Sequence, residues 1–125
     1  MPIILVVDDE PAIRALIACA LQQKGFSVLT SGDGFDAISI LRACRSEIGL
    51  VITDMGMPGK VGPTLARDLV TDDLGLPILF LSARHTSPAL DRFQSWAFLA
   101  KPFSLDVLVR KVQALTRQKT LHSVT

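Results

Sequence analysis

The segment Ile3 to Glu10 reads IILVVDDE and carries the clearest structural signal in the chain. Its first five residues are apolar and rich in β-branched side chains, which predicts a strand buried on both faces, as in a parallel sheet. Two aspartates follow where this strand ends, and Pro11 suits the first position of a helix. Because parallel strands need crossover connections, we expect strands and helices to alternate along the chain.

The rest of the sequence continues this alternation. Further strands are predicted at 26–29, 50–53, 76–81 and 96–99, and helices at 13–21, 37–44, 64–70, 87–94 and 105–115, the one at 87–94 being weak. Gly25 is expected to end the first helix and Ser104 to cap the last. Five strands and five helices in this order predict an α/β fold with a flavodoxin-like, doubly wound parallel sheet of strand order 2-1-3-4-5.

The bulk properties limit the domains, partners and compartment. The 125 residues fit one domain, which we place at 1–118, followed by a flexible polar tail at 119–125. The net charge is +1 without a basic stripe, and no apolar run reaches about 18 residues, so we expect neither direct nucleic-acid binding nor membrane insertion. Cys19 and Cys44 fall in predicted helices and do not suggest a disulfide scaffold, which favours a reduced, cytoplasmic protein.

Polar residues stand at the carboxyl ends of four predicted strands. Asp8 and Asp9 follow the first strand, Asp54 the third, Ser82 the fourth and Lys101 the fifth. These ends share one edge of the sheet, where open parallel sheets bind their ligands. Adjacent strands are about 4.8 Å apart, so Asp9 and Asp54 are close enough to share an ion. The long stem of Lys101 bridges much of the roughly 10 Å from the fifth strand to the third.

Carboxylates gathered at one edge repel one another, by roughly 4 kcal/mol for two charges about 4 Å apart at an effective dielectric near 20. Such a cluster needs a cation. Ligands that are all oxygens, in an incomplete protein shell, favour Mg²⁺. The alternative is that Asp8, Asp9 and Asp54 are separate strand-end caps.

The chain carries four motifs in the same order as the receiver domain of two-component response regulators, including the chemotaxis regulators. It resembles this family over nearly its whole length. The matching motifs are Leu5-Val6-Val7-Asp8-Asp9-Glu10, Asp54-Met55-Gly56-Met57-Pro58 with Gly62, Leu81-Ser82-Ala83 and Lys101-Pro102-Phe103. The resemblance implies that Asp54 accepts a phosphoryl group from the phosphohistidine of a histidine kinase or a histidine phosphotransfer protein.

The same resemblance implies the remaining ligands of the site. Asp9, Asp54 and the backbone carbonyl of Gly56 would hold Mg²⁺, with Asp8 acting through water. Ser82 and Lys101 would contact the phosphoryl oxygens.

The resemblance further implies a signalling switch that is not an ordinary enzyme but promotes its own phosphorylation and dephosphorylation. Ser82 and Phe98 would move in the switch; the alternative for Phe98 is an ordinary strand residue half-packed on the last helix. Gly56 and Arg84 are expected to tune the lifetime of the phosphoryl group; the alternative for Arg84 is a solvated loop arginine. A cis peptide bond is expected before Pro102. The output partner would be a downstream protein or an effector domain, which does not fit in this length.

Departures from the family pattern leave other functions open. The stretch 82–101 is short for the family and has Pro88 where a fourth helix should begin, which predicts a short or poorly ordered fourth helix. A degenerate receiver, acting as a phosphorylation-independent protein interaction module, is the main alternative. A flavodoxin-like cofactor-binding protein is another, although acids follow the first strand where that function needs a phosphate-cradling loop.

Overall fold

The computed structural model describes residues 2–44, 46–54, 76–82 and 96–124, and for Ser82, Trp96 and 117–124 it describes the backbone alone. Its strands are β1 (Ile3–Val7), β2 (Ser27–Ser31), β3 (Ile48–Asp54), β4 (Ile78–Ser82) and β5 (Trp96–Ala100). The described helices are α1 (Pro11–Gln23), α2 (Gly34–Ala43) and α3 (Leu105–Val124). The helices predicted at 64–70 and 87–94 lie outside the described residues, so the number of five helices stays a prediction.

The strands form one parallel sheet in the order β2-β1-β3-β4-β5, which confirms the predicted fold. Successive side chains of a strand point to opposite faces of a sheet, and the apolar strands here fill two separate cores. The α2-side core contains Leu5, Val7, Val51 and Phe80 with residues of α2. The core on the other face, the α1/α3-side core, contains Ile4, Val6, Ile52, Leu79 and Leu81 with residues of α1 and α3.

Local signals place the ends of the first two helices. Pro11 opens α1, and Gly25 follows its last turn at φ 92°, a left-handed conformation that glycine adopts without strain, as predicted. Asp33 caps α2, because its Oδ1 accepts a hydrogen bond of 2.7 Å from the backbone N–H of Asp36. The starts of α1 and α2 thus border the polar edge of the sheet, whereas Gly25 precedes β2 at the opposite edge.

Strand β2 extends further than its apolar pattern predicts. The prediction ended it at Leu29, whereas pairing with β1 continues to Ser31, opposite Val7. The backbone N–H of Asp8 then donates to the carbonyl oxygen of Ser31 at 3.1 Å. Ladder hydrogen bonds need only backbone groups, so polar residues continue a strand that hydrophobicity alone would end.

The last helix begins as predicted and ends later than predicted. The hydroxyl of Ser104 accepts a 3.3 Å hydrogen bond from the backbone N–H of Val107, which confirms the predicted cap. The helix then continues to Val124 through the segment expected to be a tail, because no Gly or Pro after Ser104 interrupts it. The division into a domain at 1–118 and a tail at 119–125 stays a prediction. None of the helices in the described part of the chain has both the length and the apolar character that crossing a bilayer requires.

Candidate functional site

The carboxyl ends of four strands bring polar residues to one edge of the sheet. Asp8 and Asp9 follow the last residue of β1, and Asp54 is the last residue of β3. Ser82 ends β4, where its backbone lies opposite Ala100, and Lys101 directly follows β5. The parallel strand order therefore places these positions at one edge of the sheet.

Four acidic residues form a cluster at this edge. Asp8, Asp9, Glu10 and Asp54 each present one carboxylate oxygen, and these oxygens all lie within 4.8 Å of one another. Asp8 is fully buried and Asp54 is 9% exposed, whereas Asp9 and Glu10 are exposed. The cluster, here called the acid cluster, thus extends from the floor of the site to solvent.

In the part of the chain that the structure describes, Lys101 brings a positive charge into this cluster. Its Nζ atom donates to Oδ2 of Asp54 at 3.0 Å and to Oδ2 of Asp8 at 3.3 Å. The same atom lies 3.7 Å from Oε1 of Glu10, although that carboxylate is mostly exposed and contributes little. A side chain that leaves β5 therefore reaches the ends of both β3 and β1.

The surroundings of Lys101 keep its ammonium charged. Burial lowers the pKa of Lys101, but the hydrogen bonds and negative charges of Asp54 and Asp8 outweigh this effect, so the pKa is raised from the ordinary value of 10.5. The site thus has a fixed positive charge at neutral pH, next to the carboxylates it partly neutralises.

Three hydrogen bonds, each involving at least one backbone group, hold Asp8. Its N–H donates to Ser31 O at 3.1 Å, and its Oδ1 accepts from the N–H of Glu10 at 2.9 Å. Its carbonyl oxygen accepts a 2.8 Å hydrogen bond from Nη1 of Arg14. With Oδ2 directed to Lys101, both carboxylate oxygens of Asp8 already have protein partners.

The composition of the acid cluster fits a hard divalent cation. Its four donors are all carboxylates, and two of them, Asp9 and Glu10, are open to solvent. Mg²⁺ prefers such oxygen ligands and keeps several of its waters, which the exposed side of the cluster allows. Carboxylates this close to one another repel, and Lys101 supplies one positive charge against the four carboxylates. The residues present therefore suit a Mg²⁺ site.

The structure brings together four of the residues singled out from the sequence, namely Asp8, Asp9, Asp54 and Lys101. Ser82 lies at the same edge by its backbone, and its side chain is not described. Gly56 and Arg84 lie outside the described residues. The peptide bond between Lys101 and Pro102 is cis, as predicted.

Phe98 lies on the face of the sheet opposite the last helix. It is half-buried, stands opposite Phe80 in the β4–β5 register and packs against the α2-side core. Its neighbours Ala97 and Leu99 contact the α1/α3-side core instead. The alternative that Phe98 is half-packed on the last helix is therefore wrong, because a strand alternates its faces residue by residue.

Sequence reasoning did not assign roles to Glu10 and Arg14. Glu10 continues the acidic run after β1, and this position was the available signal for its place in the cluster. Arg14 had no comparable signal. Its contact depends on a long side chain that turns toward the N-terminus of its helix, as helical side chains do.

An apolar groove adjoins the acid cluster. It is a cavity of about 400 Å³ between α1 and the connection from β5 to α3. Its lining residues are Ile13, Leu16, Ile17, Lys101, Pro102, Phe103 and Leu105. Leu16 is 56% exposed, so the groove presents apolar surface to solvent beside the lysine of the site.

Comparisons with known proteins agree with this geometry. Residues 4–113 match the family described as the response regulator receiver domain. The probable transcriptional regulatory protein TcrX of Mycobacterium tuberculosis is 32% identical over 126 residues, which cover 97% of this chain and 52% of TcrX. The chain spans about half the length of the first curated relatives it matches.

Two solved structures extend the likeness to three dimensions. The chemotaxis protein CheY4 of Vibrio cholerae has a TM-score of 0.83 at 28% identity, covering 92% of this chain and 98% of CheY4. The response regulator protein TrrA of Thermotoga maritima was solved in complex with Mg²⁺-BeF. It has a TM-score of 0.79 at 31% identity, covering 92% of this chain and 99% of TrrA.

Proposed function

The chain belongs to the family of response regulator receiver domains, and on that premise we propose that Asp54 accepts a phosphoryl group in a Mg²⁺-dependent reaction. The observation that carries this proposal is the pair of hydrogen bonds from Lys101 to Asp54 and Asp8 inside the acid cluster. A nucleophilic carboxylate, a fixed cation and a set of oxygen ligands for Mg²⁺ are the groups that phosphoryl transfer to an aspartate requires.

In this reaction a carboxylate oxygen of Asp54 attacks the phosphorus of a phosphohistidine. The new O–P bond forms as the P–N bond breaks, and the imidazole nitrogen leaves with the electron pair. Phosphoryl transfer depends mainly on positioning and on stabilising charge on the transferred oxygens. Lys101 and Ser82 contact those oxygens, and the raised pKa of Lys101 keeps its positive charge available.

The proposed ligands of Mg²⁺ are Asp9, Asp54 and the backbone carbonyl of Gly56. Asp8 acts through water, which agrees with the protein hydrogen bonds that both of its carboxylate oxygens already make. Bound Mg²⁺ supplies positive charge that offsets the charge on the phosphoryl oxygens. The same arrangement would promote both phosphorylation and hydrolysis, with Gly56 and Arg84 setting the lifetime.

In the proposed switch, phosphorylation changes the conformation of the surface that contacts the output partner. Ser82 and Phe98 are the proposed moving residues, and the half-buried ring of Phe98 packs against the α2-side core. The output partner is a downstream protein or an effector domain, in keeping with relatives about twice as long as this chain. We assign no direct nucleic-acid contact to this domain, whose net charge is +1.

A histidine kinase or a histidine phosphotransfer protein is the proposed phosphodonor. The apolar groove supports a donor that is itself a protein, because its lining includes both the exposed Leu16 and the site residue Lys101. A cytoplasmic location belongs to the same proposal, since Cys19 and Cys44 are free thiols, as reducing compartments maintain them.

The test uses the intact protein with Mg²⁺ and either acetyl phosphate or beryllofluoride. Acetyl phosphate should add one phosphoryl group by intact mass, and beryllofluoride should change the fluorescence of the single Trp. Asp54→Asn should abolish both responses, whereas Asp106→Asn removes a charge from an exposed helical position and should preserve them. Absence of both responses in the wild-type protein would reject the proposal.

A phosphorylation-independent interaction module is not favoured. Its support in the sequence was the short stretch 82–101, of which residues 83–95 lie outside the described part of the structure. The acid cluster and its lysine favour acceptor chemistry instead, since an interaction module has no need of carboxylates held within 4.8 Å of one another.

A further inference from the structure

Arg14 contacts the backbone of the acid cluster from α1. Its Nη1 atom donates to the carbonyl oxygen of Asp8 at 2.8 Å. That oxygen belongs to the peptide unit joining Asp8 to Asp9, the two acids at the end of β1. Arg14 is half-buried, and its own backbone N–H bonds to Glu10 O at 3.0 Å in the first turn of the helix. The guanidinium therefore connects a rigid helix to the peptide between two acids of the cluster.

We propose that Arg14 is a positioning residue that fixes the Asp8–Asp9 peptide and so directs the Asp9 carboxylate toward the Mg²⁺ site. This inference rests on the proposed function, since it concerns the same cation. The direction of a peptide carbonyl sets the orientation of its plane, because the six atoms of the unit are coplanar. Holding that oxygen limits the directions available to the next side chain, that of Asp9.

The other described hydrogen bonds of this segment act on either side of the Asp8–Asp9 peptide and not on that peptide. The N–H of Asp8 is held by Ser31, and its carboxylate is held by Glu10 N–H and by Lys101. These bonds fix the peptide before Asp8, the side chain of Asp8 and, through Glu10 N–H, the Asp9–Glu10 peptide, but none of them acts on the Asp8–Asp9 peptide itself. Asp9 is exposed, so packing does not orient its side chain. Arg14 supplies the restraint on the side of Asp8 that faces Asp9.

The Nη1 atom that donates to Asp8 also lies beside Gly32 in the β2–α2 connection. A Cβ atom at position 32 would stand 3.1 Å from Nη1 of Arg14, tighter than an ordinary contact. A glycine at this position thus lets Arg14 reach the Asp8 carbonyl, and Gly32→Ala would displace the guanidinium by a few tenths of an ångström. The helix and the β2–α2 connection together define where the arginine lies.

Arg14 affects Mg²⁺ affinity in two opposite ways, because its charge should weaken binding and its positioning of Asp9 should strengthen it. The test variant must therefore keep the charge. A positive charge near a cation site weakens Mg²⁺ binding, so an uncharged replacement would change charge and geometry together. Arg14→Lys keeps the charge but removes the planar donor group that meets the Asp8 carbonyl. Arg110→Lys, at an exposed position of α3, is the matched control.

The experiment measures the Mg²⁺ affinity of each full-length variant by Trp fluorescence, and the melting temperature with and without Mg²⁺. Arg14→Lys should weaken Mg²⁺ binding about three- to tenfold, the size of one ordinary hydrogen bond, because the charge is kept and the effect on Asp9 is indirect. The rise in melting temperature that Mg²⁺ produces should shrink accordingly. Gly32→Ala should weaken binding in the wild-type background and have no further effect beside Arg14→Lys.

Several outcomes separate this inference from the function on which it rests. A purely structural arginine would lower both melting temperatures equally and leave the Mg²⁺ affinity unchanged, which would overturn the inference alone. An equal effect of Gly32→Ala in both backgrounds would overturn it too. Failure of the wild-type protein to bind Mg²⁺ would overturn both the inference and the proposed function.

Discussion

The Nζ atom of Lys101 lies 3.0 Å from Oδ2 of Asp54, and this hydrogen bond joins the end of β5 to the end of β3 across the intervening strand β4. A second bond from the same atom, 3.3 Å long, reaches Asp8 at the end of β1. One side chain thus connects three strand ends that the register brings to the same edge. Lys101 thus joins two carboxylates of the acid cluster, and a bound cation would compete with its ammonium for them.

Replacing Lys101 by Met should therefore separate cation binding from phosphoryl binding. Without the competing ammonium, Mg²⁺ affinity should rise on the order of three- to tenfold, less than bare charges would give because solvent screens this partly open site. The beryllofluoride response should be lost, because the contact of Lys101 with the phosphoryl oxygens is missing. The metal-free protein should lose about 1–3 kcal/mol of stability with its charged hydrogen bonds.

Fluorescence titration with Mg²⁺, then with beryllofluoride, measures both effects for Lys101→Met. Lys24→Met is the matched control, since Lys24 is exposed at the far end of α1. A fall in Mg²⁺ affinity in Lys101→Met would contradict the competing role given to this lysine.

Asp8 offers a second test, because it is fully buried and both its carboxylate oxygens have protein partners. Asp8→Asn keeps the shape and the acceptor for Glu10 N–H but removes one negative charge. Mg²⁺ affinity should fall by about 10–100-fold, the usual effect of losing a group that supports metal ligands. Calorimetric titration checks this against Asp36→Asn, an exposed acid of α2. Equal affinities in the two variants would exclude Asp8 from the cation site.

The sequence was sufficient for the sheet and for the edge where chemistry occurs. An apolar run such as Ile3–Val7 predicts a buried strand by itself, and the order of strands is the commonest one for an alternating chain of this size. Strand ends were less well predicted, because Ser31 and Asp54 join the ladder through their backbones and carry no apolar signal.

Contacts that depend on which way a side chain turns could not be predicted. Phe98 shows this, since a shift of one residue in a strand reverses the face on which a side chain lies. Arg14 shows it as well, because its position on α1 says nothing about a bond to the Asp8 carbonyl six residues earlier. Both features need the tertiary arrangement of strand, helix and loop.

The apolar groove leads to a prediction about the phosphodonor. Leu16→Ser should slow phosphoryl transfer from a phosphorylated histidine phosphotransfer protein about tenfold, through the lost apolar contact. Phosphorylation by acetyl phosphate should be unchanged, because Leu16 lines the groove and does not belong to the acid cluster. Rates with the two donors, followed by intact mass, check this difference.

Val107→Ser is the matched control for Leu16→Ser, since Val107 is also an exposed apolar residue of a helix, at 39%, and does not line the groove. Equal slowing of both donors by Leu16→Ser would mean that the change disturbs the site itself, and would contradict a docking role for the groove.

A last prediction concerns the opposite edge of the sheet, where Gly49 and Pro2 meet. The pairing of β1 with β3 passes from Ile3 opposite Ile48 to Ile4 opposite Leu50. Gly49 is therefore an extra residue of β3 that the register skips, as in a β-bulge. A Cβ atom at position 49 would overlap Cβ of Pro2 and lie 3.1 Å from its Cγ. The rigid proline ring cannot turn away as a flexible side chain would.

Gly49→Ala should therefore destabilise the protein by about 1–3 kcal/mol, the usual result of overpacking. Mg²⁺ affinity should stay unchanged, because the acid cluster lies at the other ends of these strands. Pro2→Gly removes both contacting atoms and should restore most of the loss, despite about 0.4–1 kcal/mol of its own cost from a more flexible unfolded chain. Urea unfolding of the four members of this double-mutant cycle measures the coupling. Independent effects of the two substitutions would show that the contact between Pro2 and Gly49 does not limit the size of residue 49.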